Sequence, residues 1–151
     1  MYKRQPCTAN CDNISFICNT FDTGNYGIKL NPLGSSGSWT NIVIRNNIFK
    51  VEGRSIFLGP YQNEDDLSVD HNFFVNSSES DIYGTSYKTG DPKWVNENSS
   101  NYHLQSTSPA IDAGSNIDAP SIDFDGNPRP QGITFDIGAY EYSSGNNPPT
   151  K

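Results

Sequence analysis

The apolar positions of this chain fall into short runs that alternate with polar residues, and the runs recur. Asn13–Phe21 reads NISFICNTF, Asn41–Phe49 reads NIVIRNNIF and Asp66–Phe74 reads DLSVDHNFF. Their starts are separated by 28 and then 25 residues. A shorter phrase follows each: GIKL at Gly27–Leu30, SIFL at Ser55–Leu58 and DIYG at Asp81–Gly84, spaced by 28 and 26 residues. Two phrases that keep one period predict a stacked repeat architecture. Within each long phrase the period is two, so Ile14 and Phe16, Ile42 and Ile44, and Leu67 and Val69 share one face of a strand. The same register places Asn19, Asn47 and Asn72 at one bend, with Phe21, Phe49 and Phe74 two residues later. An amide carries donors and an acceptor, so an Asn at each bend can bond the Asn or backbone of the next repeat. Asn also tolerates the left-handed backbone of a sharp turn. The Phe is expected to point inward and stack on its counterparts.

After Gly84 the period stops. The chain reads DPKWV (Asp91–Val95), YHLQSTSPAIDAG (Tyr102–Gly114), DFDGNPRPQG (Asp123–Gly132) and DIGAYEY (Asp136–Tyr142). Ser108 before Pro109 is an N-cap signal and Gly114 a stop, which predicts a one-turn helix over SPAIDAG. Asp125-Gly126 and Asn127-Pro128 predict turns, and IGAYEY a short final strand. DFDGNP lacks the longer ligand pattern and distal Glu of an EF-hand, so it is read as a structural turn.

The repeat resembles the right-handed parallel β-helix of the pectate-lyase-like superfamily, which contains polysaccharide lyases and glycoside hydrolases. The resemblance implies an all-β fold of about three coils, with Ile14–Ile17, Ile42–Arg45 and Leu67–Asp70 as second-sheet strands. GIKL, SIFL and DIYG become first-sheet strands, and the three Asn a ladder. The phrases from Asp91 to Tyr142 are similar to the C-terminal segment of bacterial secreted proteins of the choice-of-anchor Q type, where it closes the last coil. The expected organisation is therefore a partial coil or extension at 1–12, coils at 13–90, an irregular cap at 91–142 and a linker at 143–151. The first coil would be open toward another chain or a further segment, which makes self-stacking an expectation.

Composition narrows the function classes. Hydrophobic residues are 33% of the 151, and mean hydropathy is −0.66, which suits short strands and turns better than amphipathic helices. No run is apolar for long enough to span a membrane. The net charge of −7 lacks the basic footprint of a nucleic-acid binder. A polyanionic glycan would need a local basic patch or a bridging cation. Cys7, Cys11 and Cys18 are odd in number and cannot complete an intramolecular disulfide set. A Cys7–Cys11 bridge stays open, and Cys18 is expected as a buried thiol packing like a small hydrophobe. The start MYKRQPCTANCD has no apolar signal-peptide core. An extracellular or cell-surface location thus rests on the resemblance, with the export signal outside this sequence.

Candidate chemistry gathers beside the GIKL column. With Ile28 and Leu30 inward, Lys29 points outward, and Phe57 and Tyr83 follow it on the next two repeats. Outward aromatics suit the apolar faces of sugar rings. The resemblance places polysaccharide in the groove beside this sheet and its loops, where Trp39, Tyr61 and Tyr87 add to the set. Covering of the aromatics by one another is the alternative. For β-elimination of a uronide, Lys29 is the candidate base and Arg54 the carboxylate partner, with Asp65 and Asp66 as candidate calcium ligands. A solvated lysine is the plainer reading of Lys29. The paired outward acids of a glycosidase are missing from this column. Arg45 and Asp70 are expected to pair across strands, and His71 and His103 to be turn or packing residues. A non-catalytic surface, adhesin or assembly module is the rival function.

Overall fold

A computed structural model describes residues 11–22, 24–30, 39–58, 66–77 and 84–145. They form an all-β protein with parallel sheets. The first repeat supplies β1 (Cys11–Ile17), β2 (Thr20–Asp22) and β3 (Tyr26–Leu30). The second supplies β4 (Trp39–Arg45), β5 (Ile48–Lys50) and β6 (Arg54–Leu58). The third gives β7 (Leu67–Asp70) and β8 (Phe73–Phe74), and a shortened turn adds β9 (Lys88–Thr89). Strands equivalent in the repeats pair in parallel, in the orders β1-β4-β7, β2-β5-β8-β9 and β3-β6. The register matches the sequence phrases: Ile14 faces Ile42, which faces Leu67, and Phe21, Phe49 and Phe74 are aligned.

The corners explain the double polar positions between strands. Cys18, Asn46 and His71 each take a left-handed backbone, with φ of 55°, 56° and 50°, and turn one strand into the next. The residue after each is the ladder Asn. Asn47 Oδ1 accepts the backbone N–H and the Nδ2 of Asn19 at 3.0 and 3.1 Å. Asn72 Oδ1 accepts the same pair from Asn47, both at 3.0 Å. Nδ2 of Asn47 and Asn72 also donate to the carbonyls of Phe16 and Ile44, each at 2.8 Å. The Asn47 amide therefore joins its repeat to both neighbours, and the buried Asn47 and Asn72 are both satisfied.

Inside, Phe21, Phe49 and Phe74 stack with centroids 4.9 and 5.6 Å apart and ring planes within 4° and 12° of parallel. Ile28, Ile42, Ile44, Ile56 and Val69 complete this core. The stack reaches the β3–β6 sheet so closely that a Cβ on Gly27 would stand 2.5 Å from Phe49 Cδ1 and 2.6 Å from the Ser55 carbonyl. Arg45 and Asp70, adjacent on β4 and β7, form a two-pronged pair at 2.7 and 2.8 Å. Burial opposes the Asp70 charge, but hydrogen bonds from Arg45 and His71 hold its carboxyl below the ordinary range.

The fourth turn ends the columns. Phe73 and Phe74 pair with Lys88 and Thr89, so Tyr87 stands where the ladder would continue and Thr89 where the Phe stack would. Parallel pairing thus runs past Gly84, where the sequence period stops, because backbone bonds need no phrase. Tyr87 meets Phe74 edge-on at 6.1 Å.

The remaining described residues pack along the outer face of the β2-β5-β8-β9 sheet. Ile48 and Phe73, which alternate with the inward Phe, are fully buried there against Trp94, Leu104, Ala110 and Ile137. Trp94 and Leu104 belong to an antiparallel hairpin of β10 (Trp94–Asn96) and β11 (Asn101–Leu104). The contacts of this flanking segment extend back to the first repeat. Ser115 exchanges hydrogen bonds with the Asn46 side chain, Ala139 N–H donates to Thr20 Oγ1 at 3.3 Å, and Tyr102 Oη donates to Asp22.

Two local expectations are corrected. SPAIDAG is a hydrogen-bonded turn, not a helix: Ser108 Oγ caps the Ala110 N–H at 3.2 Å, but the chain then leaves to pair Gly114 N–H with the Phe135 carbonyl. IGAYEY is not a strand. Its backbone is bound piecemeal, Ile137 N–H to Ala110 O and Gly138 N–H to Asn46 O. Buried charge replaces a ladder here. Arg129 Nη1 pairs with Glu141 Oε1 at 2.8 Å, with side-chain exposures of 1% and 0%, and Nη2 donates to the Gly138 carbonyl.

Candidate functional site

The outer face of the β3–β6 sheet brings together two exposed cations, Lys29 and Arg54, and two half-buried rings, Tyr26 and Phe57. Lys29 is paired with Phe57, and Tyr26 with Arg54, across the two strands. Strict alternation would turn Tyr26 inward with Ile28. Instead Gly27 and its neighbour Ser55 both face the interior, so the strands bend there and bring Tyr26 and Arg54 out beside Lys29 and Phe57. Lys29 Nζ lies 4.7 Å from the Tyr26 centroid and 5.4 Å from that of Phe57. Arg54 Cζ lies 5.7 Å from the Phe57 centroid, and the two rings meet edge-on at 5.8 Å. Each exposed cation–ring contact contributes on the order of 0.5–1 kcal/mol, enough to orient the side chain. Neither Lys29 nor Arg54 has a carboxylate partner among the described residues.

This arrangement supplies the local basic patch that a chain of net charge −7 would need to hold a polyanion. Two cations with no carboxylate partner among the described residues flank a ring face, an arrangement able to take a carboxylate on the cations and an apolar sugar face on Phe57 or Tyr26.

Of the other candidates, Tyr87 does not join this face. It is 46% exposed at the end of the Asn column, between the first and second sheets. Asp66 is half-buried immediately before β7, and no group of three or more His, Cys, Asp or Glu converges on a metal site among the described residues. Tyr61, Tyr83 and Asp65 lie outside the described residues, as do Cys7 and the side chains of Cys11 and Trp39. Cys18 is a buried free thiol, and burial raises its pKa. Tyr26 is the member of the site that strand alternation hid. The glycine after it, inside a strand, was the available signal of a bend.

The DFDGNP turn is filled by protein donors. Asp123 Oδ1 accepts N–H from Asp125 and Asn127 at 2.9 and 2.8 Å, and Oδ2 accepts the Glu141 N–H at 3.1 Å. Burial would raise the Asp123 pKa, but these donors bring it below the ordinary value. Beside it, His103 places Nε2 at 2.7 Å from Asp125 Oδ2 and Nδ1 at 2.6 Å from Asn101 Oδ1, stacked at 4.1 Å on Tyr140. That is the packing role expected of His103, and His71 likewise sits in a corner against Asp70.

No protein-family model matches the sequence, and no curated protein matches it. Among the described residues no helix is long and apolar enough to cross a membrane.

Proposed function

We propose that this chain is a length of right-handed parallel β-helix of the pectate-lyase-like kind, with a choice-of-anchor Q-type segment at Asp91–Tyr142. In this reading it acts outside the cell on an acidic polysaccharide, held along the β3–β6 face. The observation that carries the proposal is the pair of cations, Lys29 and Arg54, that share the Phe57 ring and have no carboxylate partner among the described residues. Parallel sheets built from one strand per repeat and a stacked Asn ladder support the β-helix. Lys29 and Arg54 bind the uronate carboxylate, while Tyr26 and Phe57 carry the sugar faces. In the lyase version, carboxylate neutralisation acidifies the C5 proton.

Binding to a panel of uronate-containing and neutral polysaccharides, with unsaturated-product absorbance followed in parallel, tests this. Lys29→Ala and Arg54→Ala should each weaken uronate binding by about tenfold, with little effect on neutral polymers. Uronate binding unchanged in both variants would remove this face as the site. The alternative, a non-catalytic surface or assembly module, is favoured by the exposed Asn19 and the half-buried Phe21 of the first described repeat.

A further inference from the structure

The chain has two histidines, and their rings are held differently. His71 meets one acceptor, Asp70 Oδ1 at 2.7 Å from Nδ1. A neutral imidazole satisfies that contact with its single N–H. His103 meets an acceptor at each ring nitrogen: Asn101 Oδ1 lies 2.6 Å from Nδ1, and Asp125 Oδ2 lies 2.7 Å from Nε2. The Asn101 amide is not free to offer its donor to the ring instead, because the same oxygen accepts the His103 backbone N–H at 3.3 Å. Nδ1 therefore carries a hydrogen. A neutral ring would then set the bare lone pair of Nε2 against the Asp125 carboxylate. Beside an ionised Asp125, only the imidazolium fills both contacts.

The contact joins three stretches of the flanking segment. Asn101 and His103 belong to β11, whose Tyr102 donates to Asp22 in the first repeat. Asp125 belongs to the DFDGNP turn, 22 residues further on. Tyr140 stacks on the imidazole at 4.1 Å and meets Phe124 of the same turn edge-on at 5.7 Å. The titratable groups brought to the ring by these stretches are Asp125 and Tyr140, with Asp123 acting on Tyr140. Burial and the charges of Asp125 and Asp123 raise the Tyr140 pKa, which keeps the phenol neutral. The Asp123 carboxyl is held below its ordinary value and stays ionised above 3.8. The side chains of His103 and Asp125 are 22% and 32% exposed, so solvent exchanges protons with the pair.

The geometry points to His103 as a proton-operated clasp between β11 and the DFDGNP turn. With both nitrogens protonated the ring ties Asn101 to Asp125. As pH rises and Nε2 gives its proton to solvent, the Asp125 side chain is released. The Nδ1 contact to Asn101 survives this step. Asp123 still holds the N–H groups of Asp125 and Asn127, so the release loosens the tip of the turn and leaves its base in place. The clasp is closed at the acid end of the histidine range and open at the alkaline end.

Heteronuclear magnetic resonance on the full chain, between about pH 5 and 9, tests this by following ring nitrogens and turn amides together. His103 should keep the hydrogen on Nδ1 throughout and lose the one on Nε2. Hydrogen exchange at Asp125 and Gly126, corrected for its intrinsic pH dependence, should quicken by about fivefold or more as Nε2 deprotonates. His71 is the internal reference, and its titration should leave these amides unmoved. Asp136, raised to about 6, titrates in the same window, and Asp125→Asn separates the two. That variant keeps the side chain's size, removes the carboxylate and should abolish the pH dependence of exchange in the turn. A dependence that persists in D125N would assign the effect to Asp136 and overturn the clasp. Turn exchange that ignores the state of Nε2 would overturn it too, as would a ring that loses its proton from Nδ1.

Discussion

Arg129 and Glu141 meet at 2.8 Å with almost no solvent at either side chain. The Glu141 carboxylate also accepts the N–H of Asp136 at 2.9 Å and of Gln131 at 3.2 Å. The pair thus fixes three stretches of backbone that have neither helix nor strand to hold them. Glu141→Ala should destabilise the chain by about 3–5 kcal/mol, because it leaves a buried guanidinium uncompensated. Urea unfolding measures this. A loss below about 1 kcal/mol would show that water reaches Arg129.

Asn47→Ala removes the central amide and with it the bonds to Asn19 N–H and Nδ2, to the Phe16 carbonyl and to Asn72 Oδ1. Four hydrogen bonds, one buried and three part-buried, are lost, for an expected cost of about 2–4 kcal/mol. Asn19→Ala, at the exposed edge, should cost about 1 kcal/mol or less. Equal costs in paired denaturant curves would contradict the ladder's burial gradient.

Gly27→Ala should be destabilising by about 1–3 kcal/mol, since the added methyl would overlap the Phe49 ring and the Ser55 carbonyl. Combining it with Phe49→Leu, which vacates part of that space, should recover some of the loss in a double-mutant cycle. Strict additivity would place the two residues out of contact.

Burial pushes the Asp136 carboxyl up to about 6 from 3.8, against the N–H donors of Tyr142 and Asp112. A carboxyl with a raised folded pKa binds protons more tightly when folded. Stability from this group therefore falls as pH rises from 3.8 through 6. Asp136→Asn should flatten that slope by about 1–3 kcal/mol across the window. Asp70 and Asp123 have lowered pKa values, so their contributions are lost only on the acid side, below 3.8. Thermal melts of both proteins across the pH range would decide it; parallel slopes would clear Asp136 of the effect.

The columns were legible because each repeat spends the same residue type on the same geometric problem. Asn at the corner and Phe inside follow from period alone. The flanking segment was less so, although one signal existed. Ile48-Phe49 and Phe73-Phe74 place apolar residues on both faces of a strand, which calls for cover on each side. Tyr87 escaped because the register across a 15-residue spacing is set by backbone bonds such as Lys88 N–H to Asn72 O. The bend at Gly27 hid Tyr26 from an argument based on alternation. SPAIDAG carried true capping chemistry at Ser108, but tertiary pairing of Gly114 overrode the helix it could have started.

The reach of the flanking segment also governs how the molecule folds. Stacked repeats that touch only their neighbours can form and fray one at a time. Here Ala139 is tied to Thr20 across 119 residues of sequence and Tyr102 to Asp22 across 80. These long-range closures couple the first repeat to the last third of the chain. Contacts so distant in sequence slow the search for the native state. They also make loss of any one repeat a loss of the whole, so the protein should unfold in a single step rather than peel from an end.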